Sequence, residues 1–404
     1  MQIEELQQPK KSIERIFDKA IFALLMMFLF CSAFSIALSE IGYFSALAFW
    51  VGKMIYTRRL CIPRTPFDLF FLGYIGSEIL ATIFAHDKAY SLLYLQRRLL
   101  LLPIVYIILD NIRSRRDLEF LFGALILSAV AVALWSMKDI LAHLSDYLHF
   151  DRRLSEFQHY MTAGGITMIG LLLLLPFVIH RQTPHKFRLL ALSFTLPLAV
   201  SLFFTFTRSS WLGFLAGTVY IGAVRTRKLF LPVFIVLLMI LFLATPEIRE
   251  RIYSVIDPNH PTNVARVHMW MTGVKIFIDH PIFGIGDVGT ETVWNQYAQP
   301  GWEPEGHLHN NIIMWLVTLG LVGLVVLVAL FVRIWLVMSQ IEKKLRDHWF
   351  HGSLALGGLA VLVGFHVNGL FEWNFGDAEI ISLIWAILGL ILGAEKILGN
   401  RNMG

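Results

Sequence analysis

Residues 310–333 read NNIIMWLVTLGLVGLVVLVALFVR, with no charged residue before Arg333. Coiled at 1.5 Å per residue, such a run spans about 34 Å, slightly more than the roughly 30 Å hydrocarbon core of a bilayer. Outward from it, comparable runs bounded by charge clusters lie near 20–38, 42–56, 67–85, 92–110, 118–137 and 161–179. Further runs lie near 189–206, 211–224, 229–244, 350–371 and 378–394, which makes twelve. Lipid offers backbone amides no partner, so each run must close its own hydrogen bonds as a helix. Composition agrees: of 404 residues 56% are hydrophobic and only 16% charged, against about 25% charge in a soluble domain, and mean hydropathy is +0.65. Disorder, a coiled coil and a soluble α/β enzyme are excluded. The expected fold is an all-α polytopic membrane protein with about twelve transmembrane helices. A net charge of +5, spread along the chain, does not point to nucleic acid. The two cysteines, Cys31 and Cys61, supply neither a disulfide framework nor a thiolate metal site.

Lysine and arginine placement sets the expected orientation. Alternate connections carry Lys10, Lys11, Arg15 and Lys19; Arg58, Arg59 and Arg64; Arg113, Arg115 and Arg116; and Arg181, Lys186 and Arg188. The series continues with Arg225, Arg227 and Lys228, then Lys343, Lys344 and Arg346, then Lys396 and Arg401. These regions hold 21 of the 34 basic residues, which puts them and both termini in the cytoplasm. The first apolar run is long for a signal peptide and reads as an anchor. The opposite side receives the longer polar segments, about 138–160 and 245–306. The second carries helical patterning from Val264 to Asp279 and a turn at Asp257-Pro258-Asn259. Long loops without low complexity are usually functional. The expected organisation is helices over 1–244, a large outer loop over 245–309, and further helices with a cytoplasmic tail over 310–404.

Polar groups near membrane depth need a reason, because each charge there costs about 2.5–3.5 kcal/mol on the insertion scale. Arg208 sits in a tight connection, Thr207-Arg208-Ser209-Ser210. Its planar fork suits a phosphate or diphosphate, and an interfacial anchor is the plainer alternative. Arg266 and Trp270 are four apart and share a helix face; an anion clamp beside a sugar-packing indole competes with an ordinary cation–π pair. The segment Phe283-Gly284-Ile285-Gly286 reads as turn geometry rather than a phosphate cradle, since no strand precedes it. His307-Leu308-His309-Asn310-Asn311 leads into the opening helix. A neutral imidazole there can accept a proton from an attacking hydroxyl, with an asparagine to orient it. Two histidines at i and i+2 can also ligate a metal, though no thiolate or HExxH pattern supports that. Arg97 and Arg98 point about 100° apart on a helix, so one at most faces a ligand. His366, Asn368, Glu372, Asn374 and Asp377 form a further polar interruption, suited to sugar hydroxyls or to bonding between helices.

Taken in order, Thr207-Arg208-Ser209, Arg266-x-x-x-Trp270, His280-Pro281-x-x-Gly284-x-Gly286 and His307-x-His309-Asn310, followed by Leu319-Gly320-Leu321-Val322-Gly323, resemble the O-antigen ligase/polymerase superfamily. The resemblance covers about residues 190–335; Ser210 stands where these proteins often have glycine or another small residue. It implies a membrane glycosyltransferase of type C-like fold in the bacterial inner membrane, with its site facing the periplasm. The implied donor is an undecaprenyl-diphosphate-linked glycan and the implied acceptor a sugar hydroxyl on lipid A–core oligosaccharide. Transfer would be inverting, without metal or other cofactor, by a monomer among membrane lipids. Carried onto this chain, His309 is the expected base, and Arg208 and Arg266 stabilise the diphosphate. Arg97, Arg98, His307, Asn310, Trp270 and Ser209 are the expected substrate-binding residues. An O-antigen polymerase would use the same donor chemistry. A lipid or sugar transporter would use the same arginines without a base, although transporters place their sites at the bilayer midplane.

Overall fold

The computed structural model describes residues 2–401 except 61, 230, 232–234, 236–238, 240, 241, 243 and 303–305, and side chains over 13–399 with 290 and 291 also excepted. It is all-helical, 77% helix, and the described residues contain no strand. Seven helical stretches among them are long and apolar enough to cross a membrane, counting Lys88–Asn111 as one across its break before Pro103. Most of the remaining expected spans are helices of smaller apolar reach. Asp68–Ile83 has 16 residues and Arg208–Val224 has 17, and Ile36–Thr57 carries Glu40 and Lys53 among its apolar residues. The span expected at 229–244 lies largely outside the described residues.

Two apolar runs are not the continuous rods their length suggests. The 92–110 run is two helices, Lys88–Leu99 and Pro103–Asn111. Pro103 lacks the N–H that would reach Leu99, and its ring would strike that carbonyl, so the chain turns through residues 100–102 and restarts with Pro103 in its first turn. The opening run extends to Asn311–Leu345 but is interrupted at Gly320, whose φ of 65° and ψ of −166° are not helical.

That interruption is filled by the 281–286 segment. Leu321 and Val322 donate backbone N–H bonds to Pro281 and Ile282 (2.8 and 3.2 Å), and Ile285 and Gly286 donate to Val317 and Thr318 (2.8 and 3.1 Å). A Cβ on Gly320 would lie 2.3 Å from the Ile282 carbonyl oxygen, and one on Gly284 2.5 Å from that of Val317. The glycines of two separate motifs are therefore the two halves of one crossing. The Ile285 and Gly286 amides are spent on this joint and that of Gly284 on the His280 carbonyl (3.2 Å), which accounts for them as structure.

The core of the bundle forms where Tyr160–Ile179, Arg208–Val224 and Trp349–Asn368 meet, with His185–Phe204 and Ala378–Arg401 against them. Small residues let the backbones approach: a Cβ on Gly213 would fall 2.7 Å from the Gly364 carbonyl oxygen. A second apolar cluster, including Met269, Ile276, Trp294 and Leu308, sits beneath the Pro261–Asp279 helix and seats it on the head of the Asn311–Leu345 helix.

Candidate functional site

Two non-glycine residues with left-handed backbone stand immediately before the helices of interest. Phe206 (φ 50°) precedes Thr207, the N-cap of Arg208–Val224, and His309 (φ 46°) precedes Asn310, the N-cap of Asn311–Leu345. This conformation costs an L-residue roughly 1–2 kcal/mol and persists only where surrounding contacts enforce it. At Phe206 the contact is Arg251, whose Nε and Nη2 donate to the Phe206 carbonyl (3.3 and 3.0 Å). At His309 it is the bonding on either side. Asn310 accepts from the Ile313 N–H and donates to the Leu370 carbonyl (3.0 and 2.9 Å), and the His309 ring is held by Glu372.

Arg208 is buried. Its Nη1 donates to both the carbonyl and Oγ of Ser254, the latter at 2.9 Å. Its Nη2 donates to Thr262 Oγ1 and Asn263 Oδ1 at 2.7 and 3.0 Å. The terminal fork thus clamps the 254–263 turn and the start of Pro261–Asp279 onto the first turn of its own helix. Asn263 continues the clamp by donating to the carbonyls of Ser254 and Asp257 (2.8 and 2.7 Å). Ser209 is buried beside it.

Arg266 lies one turn along Pro261–Asp279, within the electrostatic reach of Arg208 and Arg251. Burial, then Arg208, Arg153 and Arg266, push the Arg251 guanidinium down to about 9. Arg153 and Arg251 both stack on Phe150 (4.7 and 5.1 Å), and Arg153 also on Tyr160 (4.8 Å). Four guanidinium groups from three stretches of chain are thus concentrated together, a field suited to a polyanion.

His309 Nδ1 meets Glu372 Oε2 at 3.2 Å, and His307 Nε2 stands 3.5 Å from Oε1, which also accepts the Trp373 N–H at 3.0 Å. Burial alone would raise the Glu372 carboxyl, but the His309 bond, both histidines and the Trp373 amide outweigh it and hold Glu372 below its ordinary value. With Nδ1–H donated to this carboxylate, Nε2 is the basic nitrogen of His309. The two imidazole rings are 4.2 Å apart. Donor atoms of His307, His309 and Glu372 lie within 4.8 Å of one another, a spacing that can also hold a divalent ion.

Both histidines and Glu372 line a cavity of about 400 Å³, together with His159, Tyr160, Thr162, Trp373 and Asp377. Arg208 and Arg266 are outside its lining but joined to it. Thr207 Oγ1 donates to the Tyr160 carbonyl (3.0 Å), and the Trp270 indole N–H donates to the Leu308 carbonyl (3.0 Å). A chain of amides completes the frame: Asn311 donates to Asn374 (2.6 Å), Asn374 to Asn368 (2.8 Å), and Asn368 to Ser210 Oγ (3.0 Å). The helix heads bearing Arg208 and His309 are thereby bolted together. Asn310 and Trp270, expected to bind substrate, spend the polar atoms described here on this frame.

Arg97 and Arg98 lie outside the cavity lining. Arg98 is gripped by two carboxylates, Glu78 (2.8 and 2.6 Å) and Asp287 (2.8 Å for the first contact). Exposed Arg97 stands over Tyr94. Sequence reasoning did not single out Arg153, Arg251 or the pairing of Glu372 with His309. The adjacent basic pair Arg152-Arg153 in the 138–160 segment was the available signal for the first.

Residues 190–328 match the family model described as O-antigen ligase, a stretch that includes Arg208, Arg266, His307 and His309. No curated protein matches the chain. The match spans about a third of the chain and holds its arginine and histidine motifs, so over residues 190–328 the chain is similar to the O-antigen ligase family, and its apolar helices make it a multi-pass membrane protein.

Proposed function

We propose that the protein is an O-antigen ligase. It takes a glycan from undecaprenyl diphosphate and joins it to a sugar hydroxyl of lipid A–core oligosaccharide at the periplasmic face of the inner membrane. The observation that carries this reading is the His309–Glu372 pair on the wall of a cavity, with a cluster of four arginines behind Tyr160 of that wall. Glu372 fixes the imidazole tautomer and stabilises the imidazolium that forms. Nε2 accepts the proton as the acceptor oxygen attacks the anomeric carbon from the face opposite the diphosphate, which inverts the configuration. A base so placed contributes about 10²–10⁴-fold. As the anomeric C–O bond breaks, the leaving diphosphate gains negative charge. The field of Arg153, Arg208, Arg251 and Arg266 favours that state over the ground state, which lowers the barrier. The diphosphate bond already stores the driving force, so no ATP is required, and the arginine field supplies the charge stabilisation for which other transferases use a metal.

The test is purified protein in nanodiscs with lipid-linked glycan, lipid A–core acceptor and EDTA. Covalent transfer in EDTA is expected, and it disappears in His309→Ala while membrane insertion persists. Transfer restored only by a divalent cation assigns His307, His309 and Glu372 to metal binding instead. Extension of the lipid-linked glycan without lipid A–core labelling selects a polymerase. Movement of glycolipid without any covalent product selects a transporter.

A further inference from the structure

Charge around the cavity is sorted. The arginine cluster stands behind Tyr160, with Arg153 on its ring and Thr207 on its carbonyl. The described lining contains no lysine or arginine, and its charged members other than histidine are the carboxylates of Glu372 and Asp377. Asp377 accepts the Thr162 hydroxyl at 2.6 Å and caps the last helix through the N–H groups of Glu379 and Ile380 (3.1 and 3.2 Å). The Glu379 side chain hydrogen-bonds Asp377, and two carboxyl groups so paired share one proton and carry one negative charge between them. Trp373 lines the same wall, its indole folded so closely over Gly376 that a Cβ there would meet Nε1 at 1.8 Å. An indole face, a hydroxyl and a carboxylate within one concave wall are the groups that hold a pyranose: apolar CH face on the ring, hydroxyls donated to the carboxylate.

We propose that Thr162, Trp373 and Asp377 form the acceptor subsite, and that it selects a sugar bearing hydroxyls and no phosphate around the reacting position. This rests on the ligase reading. The donor's anion belongs with the arginines. A phosphorylated acceptor sugar would set like charge against Asp377 and Glu372, and such juxtapositions reject partners rather than merely weaken them. The Glu372 that orients His309 then also repels a misplaced donor diphosphate from the acceptor's place.

The experiment compares two lipid A–core acceptors, identical except that the terminal sugar of one carries a phosphate, at saturating lipid-linked donor. The native protein is expected to favour the unphosphorylated acceptor by at least about tenfold in kcat/KM. Asparagine caps a helix as well as aspartate and still accepts from Thr162, so Asp377→Asn is expected to fold normally. It should shrink the preference about tenfold while the donor KM stays put. Trp373→Leu should raise the acceptor KM about tenfold, again without moving the donor KM. Equal use of both acceptors by the native protein, an unchanged preference in Asp377→Asn, or a shift in donor KM overturns the subsite while leaving the transferase intact. No transfer to either acceptor removes the ligase reading and the subsite with it.

Discussion

Replacing Arg208 by lysine keeps the charge and discards the fork, and the structure says what that costs. Arg208 presents four hydrogen bonds from two nitrogens, to the carbonyl and hydroxyl of Ser254, to Thr262 and to Asn263. An ammonium has three donors on one nitrogen, so at least one acceptor loses its partner, and two do if the ammonium reaches only one branch. An unmet buried polar group costs about 1–3 kcal/mol, which puts the loss at about 2–4 kcal/mol. Expressed wholly in the transition state, that is about 30-fold to 900-fold in rate, at 1.36 kcal/mol per tenfold. Arg208→Lys should therefore transfer glycan at least about 30-fold more slowly and unfold at a lower temperature. The companion variant Thr262→Val with Asn263→Ala, which spares the guanidinium but removes one branch of its clamp, should reproduce at least about tenfold of the loss. The assay is initial transfer rate with thermal unfolding on the same preparations. Native rate and native melting in Arg208→Lys would refute the clamp. So would an unimpaired double variant beside an inactive Arg208→Lys, since Arg208 would then act on the ligand alone.

Glu372→Gln removes the charge that stabilises the His309 imidazolium and can present the wrong group to Nδ1. A fall in kcat of about 10²–10⁴-fold is expected, with acceptor KM nearly unchanged; a native kcat would detach His309 from proton transfer. Gly320→Ala places a Cβ 2.3 Å from the Ile282 carbonyl at a φ of 65°. The backbone conformation alone costs about 1–2 kcal/mol and the clash adds to it, so the melting temperature should fall clearly. An unchanged melting curve would mean the crossing is not as drawn.

The helices were legible because apolar runs and charge clusters are local, and most expected spans recur within a few residues. Their discontinuities follow a different logic. Pro103 announces its break within the sequence, whereas Gly320 breaks its helix because a segment 34 to 39 residues upstream needs the space. The site follows the same division. Arg208, Arg266 and His309 stood out as polar residues at the ends of apolar runs. Their partners did not: Glu372 is 63 residues from His309, Ser254 is 46 from Arg208, and Asp287 is 189 from Arg98. No spacing rule on one helix encodes such pairs. Asn310 and Trp270 show the converse, since residue type suggests sugar binding while the backbone carbonyls that engage them become visible only in the fold.

The joint at Gly320 ties the fate of the chemistry to the surrounding lipid. Four main-chain bonds stitch the 281–286 segment into a helix of 35 residues, and His309 is two residues before that helix begins. A bilayer that thickens or thins tilts long helices rather than stretching them. Tilt of this one drags the stitched segment along and swings the imidazole with it, so membrane thickness becomes a variable that sets how the base meets its substrate.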